Sequence, residues 1–149
     1  MLTAPKVSRS LSPLYLSRYA FDQTTRKVLG FLGKRSNVRY EDIVRQIVDP
    51  VVKVWGAPDE IILSAEGDSS YAIQRWAQEQ GIEIQLVACD WIAHGKRASM
   101  LRDSRIQRDA THLVMIQGPR SNSYTNLAER LRKKGRFVAI SERPGLPAE

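Results

Sequence analysis

Four short segments gather residue types that can contact a polar ligand. The first is Gly33-Lys34-Arg35-Ser36-Asn37: a glycine that lets a ligand approach the backbone, two cations and a hydroxyl. The second, Ser64-Ala65-Glu66-Gly67-Asp68-Ser69-Ser70, sets carboxylates and hydroxyls about a glycine. The third runs from Cys89-Asp90-Trp91 through His94-Gly95-Lys96 to Arg102-Asp103. In it His94 can donate to a phosphate, and Arg102 suits bidentate contact with one. The fourth, Gln117-Gly118-Pro119-Arg120-Ser121-Asn122-Ser123-Tyr124, offers hydroxyl and amide donors at an expected helix start.

Each segment follows a short apolar run, and that regularity sets the fold. Lys27 to Leu32, Glu60 to Ser64, Ile82 to Ala88, His112 to Ile116 and Arg136 to Ser141 read as strands. Between them the spacing predicts helices over Tyr40 to Trp55, bent near Pro50, and over Ser69 to Gln80, Gly95 to Arg108 and Ser123 to Lys134. Gly81 and Gly135 stand where helices stop. Such a βαβαβαβαβ series implies an α/β, Rossmann-like three-layer sandwich with a five-stranded parallel sheet, and the order 3-2-1-4-5 is the one expected. Ligands in such sheets bind beyond the strand C-termini at the switch point, here between strands one and four. The loops at 33–37 and 117–123 should therefore face each other.

The spacing Asp90-Trp91-x-x-His94-Gly95-Lys96-x-Ala98-x-x-x-Arg102 resembles the YspA-like family of the SLOG superfamily (SMF/DprA and LOG), Rossmann-like proteins that handle nucleotides or nucleotide-derived ligands. The resemblance covers about Lys27 to Ser141. Gly33 and Arg35 match the family's Gly-x-Arg element, and Ser64, Gly67 and Trp76-Ala77 match its second element. Ser70 stands where the family has an aspartate, so Asp68 either replaces it or caps the next helix. Asp103 replaces the asparagine of an Arg-Asn pair. Gly118 and Ser121 keep part of a phosphate-cradling Gly-x-Ser-x-Gly-Thr turn, in which Ser123-Tyr124 replaces Gly-Thr.

The resemblance implies a nucleotide-like ligand held by Gly33, Lys34, Arg35, Ser36, Glu66, Gly67, Asp68, Asp90, Trp91, His94, Lys96, Arg102, Gly118, Ser121, Asn122 and Ser123. Asp90 would accept from a ribose or base edge. Trp91 is either a packing lid or a stacking platform, and His94 either a ligand contact or a surface histidine. Trp76 reads as core, and His112 as a strand residue with a local hydrogen bond.

Catalysis is the minority expectation. The related LOG enzymes, nucleoside monophosphate N-glycosidic hydrolases, carry a Pro-Gly-Gly-x-Gly-Thr-x-x-Glu loop, whereas this chain has no glycine pair there and Leu127 stands at the acidic position. Glycosidic cleavage needs a positioned carboxyl. Glu66, Asp68 and Asp90 are the candidates, with nothing in the sequence to show that they converge. No nucleophile elbow, HExxH or Walker A sequence is present.

The chain of 149 residues, 42% hydrophobic, suits one domain over 27–142, between a basic arm at 1–26 and a short tail at 143–149. Its charge of +7 is concentrated at the two ends. Lys6, Arg9, Arg18, Arg26 and Lys27 lie against Asp22 in the first part, and Arg120, Arg130, Arg132, Lys133, Lys134, Arg136 and Arg143 in the last. Basic ends attract phosphate-bearing partners, so DprA-like binding of DNA or RNA through the arm is the alternative to a small ligand. The same charge is equally compatible with an ordinary surface. Cys89 is the only cysteine, which excludes an intramolecular disulfide or a cysteine cluster and makes a reducing cytoplasm the simpler setting. No metal and no membrane contact are expected, and a homodimer is compatible with the fold but not selected by the sequence.

Overall fold

A computed structural model of the chain describes residues 26–117 and 124–142. The expected arm, apart from Arg26, the tail, and Gly118, Ser121, Asn122 and Ser123 lie outside the described residues.

The sheet has five parallel strands, as the alternation of elements predicts, in the expected order β3-β2-β1-β4-β5. They are β1 (Val28–Gly33), β2 (Glu60–Ser64), β3 (Glu83–Val87), β4 (His112–Gln117) and β5 (Phe137–Glu142). Each strand of the central three sends alternate side chains to opposite faces. Leu29, Phe31, Ile61, Leu63, Val114 and Ile116 enter one core cluster. Leu32, Ile62, Leu113 and Met115 enter the other.

The first cluster is covered by α1 (Tyr40–Ile43), a π-helical turn (Val44–Val48), α2 (Asp49–Trp55) and α3 (Asp68–Glu79). The break in the expected Tyr40 to Trp55 helix is thus a widened turn just ahead of Pro50. Proline has no N–H to donate to the carbonyl four residues back, and its ring crowds that carbonyl, so the ladder opens there.

The second face carries α4 (Trp91–His94), a 3-10 turn (Gly95–Arg97), α5 (Ala98–Asp109) and α6 (Thr125–Lys133). The helix expected from Gly95 thus begins three residues later, at Ala98, and a separate helical turn, α4, precedes it. Asp90 caps α4 by accepting from the Ala93 N–H at 3.0 Å, and Gly95, at φ 56°, ends that turn before the chain re-enters a helix at Ala98.

α5 approaches β1 closely because residue 30 has no side chain. A Cβ at Gly30 would lie 2.6 Å from Ala110 Cβ and 3.1 Å from Ile106 Cγ2. Gly30→Val should therefore lower stability by about 1–3 kcal/mol through overpacking, read as a lower urea midpoint. An unchanged midpoint would mean that the helix can move away from the sheet freely.

Candidate functional site

The strand C-termini open on a cavity of about 370 Å³ lined by Gly33, Lys34, Ser64, Glu66, Gly67, Trp91, Ser99, Arg102 and Tyr124. Its walls come from the ends of β1 and β2, from α4 and α5, and from the residue before α6. This is the edge at which open parallel sheets bind ligands, and the volume falls within the range of small-molecule sites.

Arg102 anchors the cavity. Its Nε donates to Asp103 Oδ1 at 2.9 Å, and Nη1 lies 3.4 Å from Ser64 Oγ and 3.3 Å from Cys89 Sγ. The side chain is 21% exposed, so part of the guanidinium still faces open space. Burial by itself would lower the Arg102 pKa, but the hydrogen bond and charge of Asp103 outweigh it and raise the value, which keeps the cation firmly charged. Ser99 lies one helical turn before Arg102 and reaches the same cavity.

Tyr124 forms the wall opposite. Its N–H donates to the Oε1 of buried Gln117 at 2.8 Å, which ties the start of α6 to the end of β4. Its ring packs over Gly33, since a Cβ there would lie 3.0 Å from Tyr124 Cε2. Burial, then the charge of Asp103, raises the phenol pKa against the opposing effect of Arg102. The hydroxyl therefore stays protonated and can donate to a ligand.

Glu66 lines the cavity from an exposed turn in which its N–H donates to Ser64 Oγ at 3.2 Å. Trp91, 53% exposed, presents an aromatic surface at the mouth. Among the residues expected from the sequence, Gly33, Lys34, Glu66, Gly67, Trp91 and Arg102 thus meet in one place. Ser64, Ser99 and Tyr124 join them without having been named as contacts.

Other expected contacts hold the loops together instead. Arg35 is 6% exposed and points away from the cavity: its guanidinium donates to Gln46 Oε1 and to the Ser141 carbonyl, each at 3.3 Å, bridging the π turn and β5. Its N–H donates to Ser69 Oγ at 3.0 Å, and that of Asn37 to Asp68 Oδ2 at 2.7 Å. These two backbone donors of the first loop are thus taken up by the second. Asp68 does not cap α3, whose N-cap is Gly67, and serves as the carboxylate that satisfies Asn37.

Asp90 is spent in part on capping α4. Ser36, His94 and Lys96 are exposed and do not line the cavity. The C-terminal basic residues are also partly structural. Arg132 donates to the Val138 carbonyl from Nε and Nη2, at 3.2 and 2.9 Å, and Arg136 Nη2 donates to the carbonyls of Gln107 and Ala110, at 2.8 Å each. Among the described residues no three His, Cys, Asp or Glu side chains gather as a metal site, and no helix is long and apolar enough to cross a membrane.

His112 is an expectation that the structure refines. It is buried at the opposite end of β4, with its ring 4.7 Å from Phe137 in a stack and 4.9 Å from Trp55 edge-on. Its Nδ1 lies 2.8 Å from Thr111 Oγ1, the local hydrogen bond that its position suggests. No protein-family model, curated protein or solved structure matches the chain, so the chemistry of the site rests on its own residues.

Proposed function

We propose that the chain binds a nucleotide or nucleotide-derived ligand at the carboxyl edge of its sheet. The observation that carries this reading is the Arg102 cation, held by Asp103 and flanked by Ser64 and Tyr124 in a cavity whose mouth carries Trp91. A phosphate can take the free side of the guanidinium, with Lys34 and the hydroxyls of Ser99 and Tyr124 as further donors, while Ser64 already donates to the Glu66 carbonyl. The indole offers a surface for a base. Glu66 is placed to accept from a sugar hydroxyl.

Binding is favoured over glycosidic hydrolysis because Glu66 is the one carboxylate among the three candidates that lines the cavity, while Asp68 and Asp90 hold backbone N–H groups. The direct test is mass spectrometry of small molecules released by denaturing the freshly purified protein. The released compound, or AMP as the default probe, is then titrated into the wild type and into Arg102→Met. A nucleotide-like mass is expected, with binding weakened about 30-fold by the substitution, as for loss of a charged hydrogen bond worth about 2 kcal/mol. A protein that releases nothing and does not bind AMP would overturn the reading. Salt-steep binding of a single-stranded oligonucleotide that survives Arg102→Met would favour nucleic acid instead.

A further inference from the structure

Residues 91–97 are seven consecutive exposed positions, and neither α4 nor the 3-10 turn after it buries a residue. A helix as short as α4 normally persists by packing one face, because its own hydrogen bonds are too few. Here its support is local. Asp90 caps it, and the His94 and Gly95 N–H groups donate to the Asp90 and Trp91 carbonyls. Among the described residues, no side chain of 91–97 makes a hydrogen bond or ion pair with the rest of the domain. The segment is fixed only at its ends, by buried Val87 on β3 and buried Ala98 on α5. Between them Gly95 stands in open space, since a Cβ there would meet nothing within 4 Å. Its glycine therefore serves the backbone conformation and not a close contact, as a hinge requires.

The same segment carries apolar surface to the mouth of the ligand cavity. Trp91 lines the cavity while half-exposed, and Ile92 beside it is 100% exposed. This apolar area lies in water, and burying it would be favourable. Space for it exists on the turn after β2. There the cavity wall is Gly67, where a Cβ would meet only the Cβ of Lys34, at 4.0 Å. The methylene stem of Lys34 offers apolar contact at that rim.

We propose that residues 91–97 are a lid over this cavity, and that Ile92 becomes a contact of the enclosed ligand when the lid closes. α4 swings about Asp90 and Gly95 towards the Gly67 rim, which lays Trp91 on the ligand and takes Ile92 out of water. Arg102 stays in place, because α5 is packed on the sheet through Ala98 and Ile106. Closure slows the release of a bound ligand more than it alters capture. The lid rests on the ligand reading and adds to it how the ligand is retained.

The test follows binding and release by stopped-flow tryptophan fluorescence in the full-length wild type, Ile92→Ser and Ile92→Leu. The probe is the compound released from the protein or, where none is released, AMP. With its whole side chain in water, Ile92 supports no contact of the fold, so both variants should melt like the wild type. Ile92→Ser is expected to release the probe about tenfold faster, with association unchanged, and Ile92→Leu to release it at the wild-type rate. Val54→Ser, which alters an exposed aliphatic residue on α2, should leave both rates unchanged. Release from Ile92→Ser at the wild-type rate overturns the lid and leaves the ligand reading intact. Failure of the wild type itself to bind the probe overturns the reading, and the lid with it. In a second measurement, amide exchange over 91–97 should slow about tenfold in the wild type at saturating probe. Unchanged exchange with binding intact overturns the lid as well.

Discussion

Lowering the pH from 6.5 to 4 is expected to remove about 3 kcal/mol of folding stability through His112 alone. Burial first, then the charges of Lys27 and Arg136, depress its pKa from the ordinary 6.5 to about 4. In that window the unfolded chain binds a proton that the folded chain refuses, so stability falls as the pH falls. The contribution is fully present above pH 6.5 and is lost as the pH approaches 4. A shift of this size corresponds to about 3 kcal/mol. The measurement is the urea midpoint against pH for the wild type and for His112→Phe, which keeps an aromatic ring against Phe137 and Trp55. The two curves should differ in slope by close to one proton between pH 6.5 and 4 and share the same slope above 6.5. Parallel curves would mean that the folded protein accepts the proton on His112 after all.

Gly33→Val is expected to cost about 2–5 kcal/mol and to remove ligand binding with it. Residue 33 has φ +86°, and a Cβ there would fall 2.2 Å from the Ile116 carbonyl oxygen and 3.0 Å from the Tyr124 ring. The left-handed backbone alone costs a side chain of this kind about 1–2 kcal/mol. Overlap with a backbone atom of the neighbouring strand adds about 1–3 kcal/mol, because β4 cannot move without breaking its pairing with β1. Relief by displacing Tyr124 would open the wall that faces Arg102. Thermal melts of the variant, together with AMP titration below its melting point, measure both effects. A variant that melts and binds like the wild type would show that the β1–β4 junction has slack that the structure does not suggest.

These two positions differ in how visible they were beforehand. Gly33 stands at the end of an apolar run and before two cations, so its place at the strand C-terminus was legible from the pattern. His112 was legible as a strand residue with a local partner, but the stack of Phe137 and Trp55 around it joins positions far apart in the chain. Arg35 shows the opposite case. It matched a motif and carries the charge expected of a phosphate contact, yet its side chain spans from Gln46 to Ser141 on the other side of the sheet. Ser99 left a usable signal, three residues before Arg102 and so on the same helix face. Tyr124 left none, because its role depends on α6 beginning opposite Gly33.

The order of strands and helices along the chain, the parallel sheet and the edge at which polar loops collect are legible in the residue pattern. Alternation of apolar runs with helical spacing is local information, and right-handed crossovers leave few ways to assemble it. Which polar groups remain available to a ligand depends instead on contacts between distant segments. Asp68 and Asp90 carry the right chemistry for a site, but Asn37 and Ala93 present backbone N–H groups that need an acceptor. A donor without one is costly, so these carboxylates serve the loops first. Arg102 keeps part of its guanidinium for the cavity because Asp103, its neighbour in sequence, satisfies one side and folding leaves the other open between Ser64 and Tyr124.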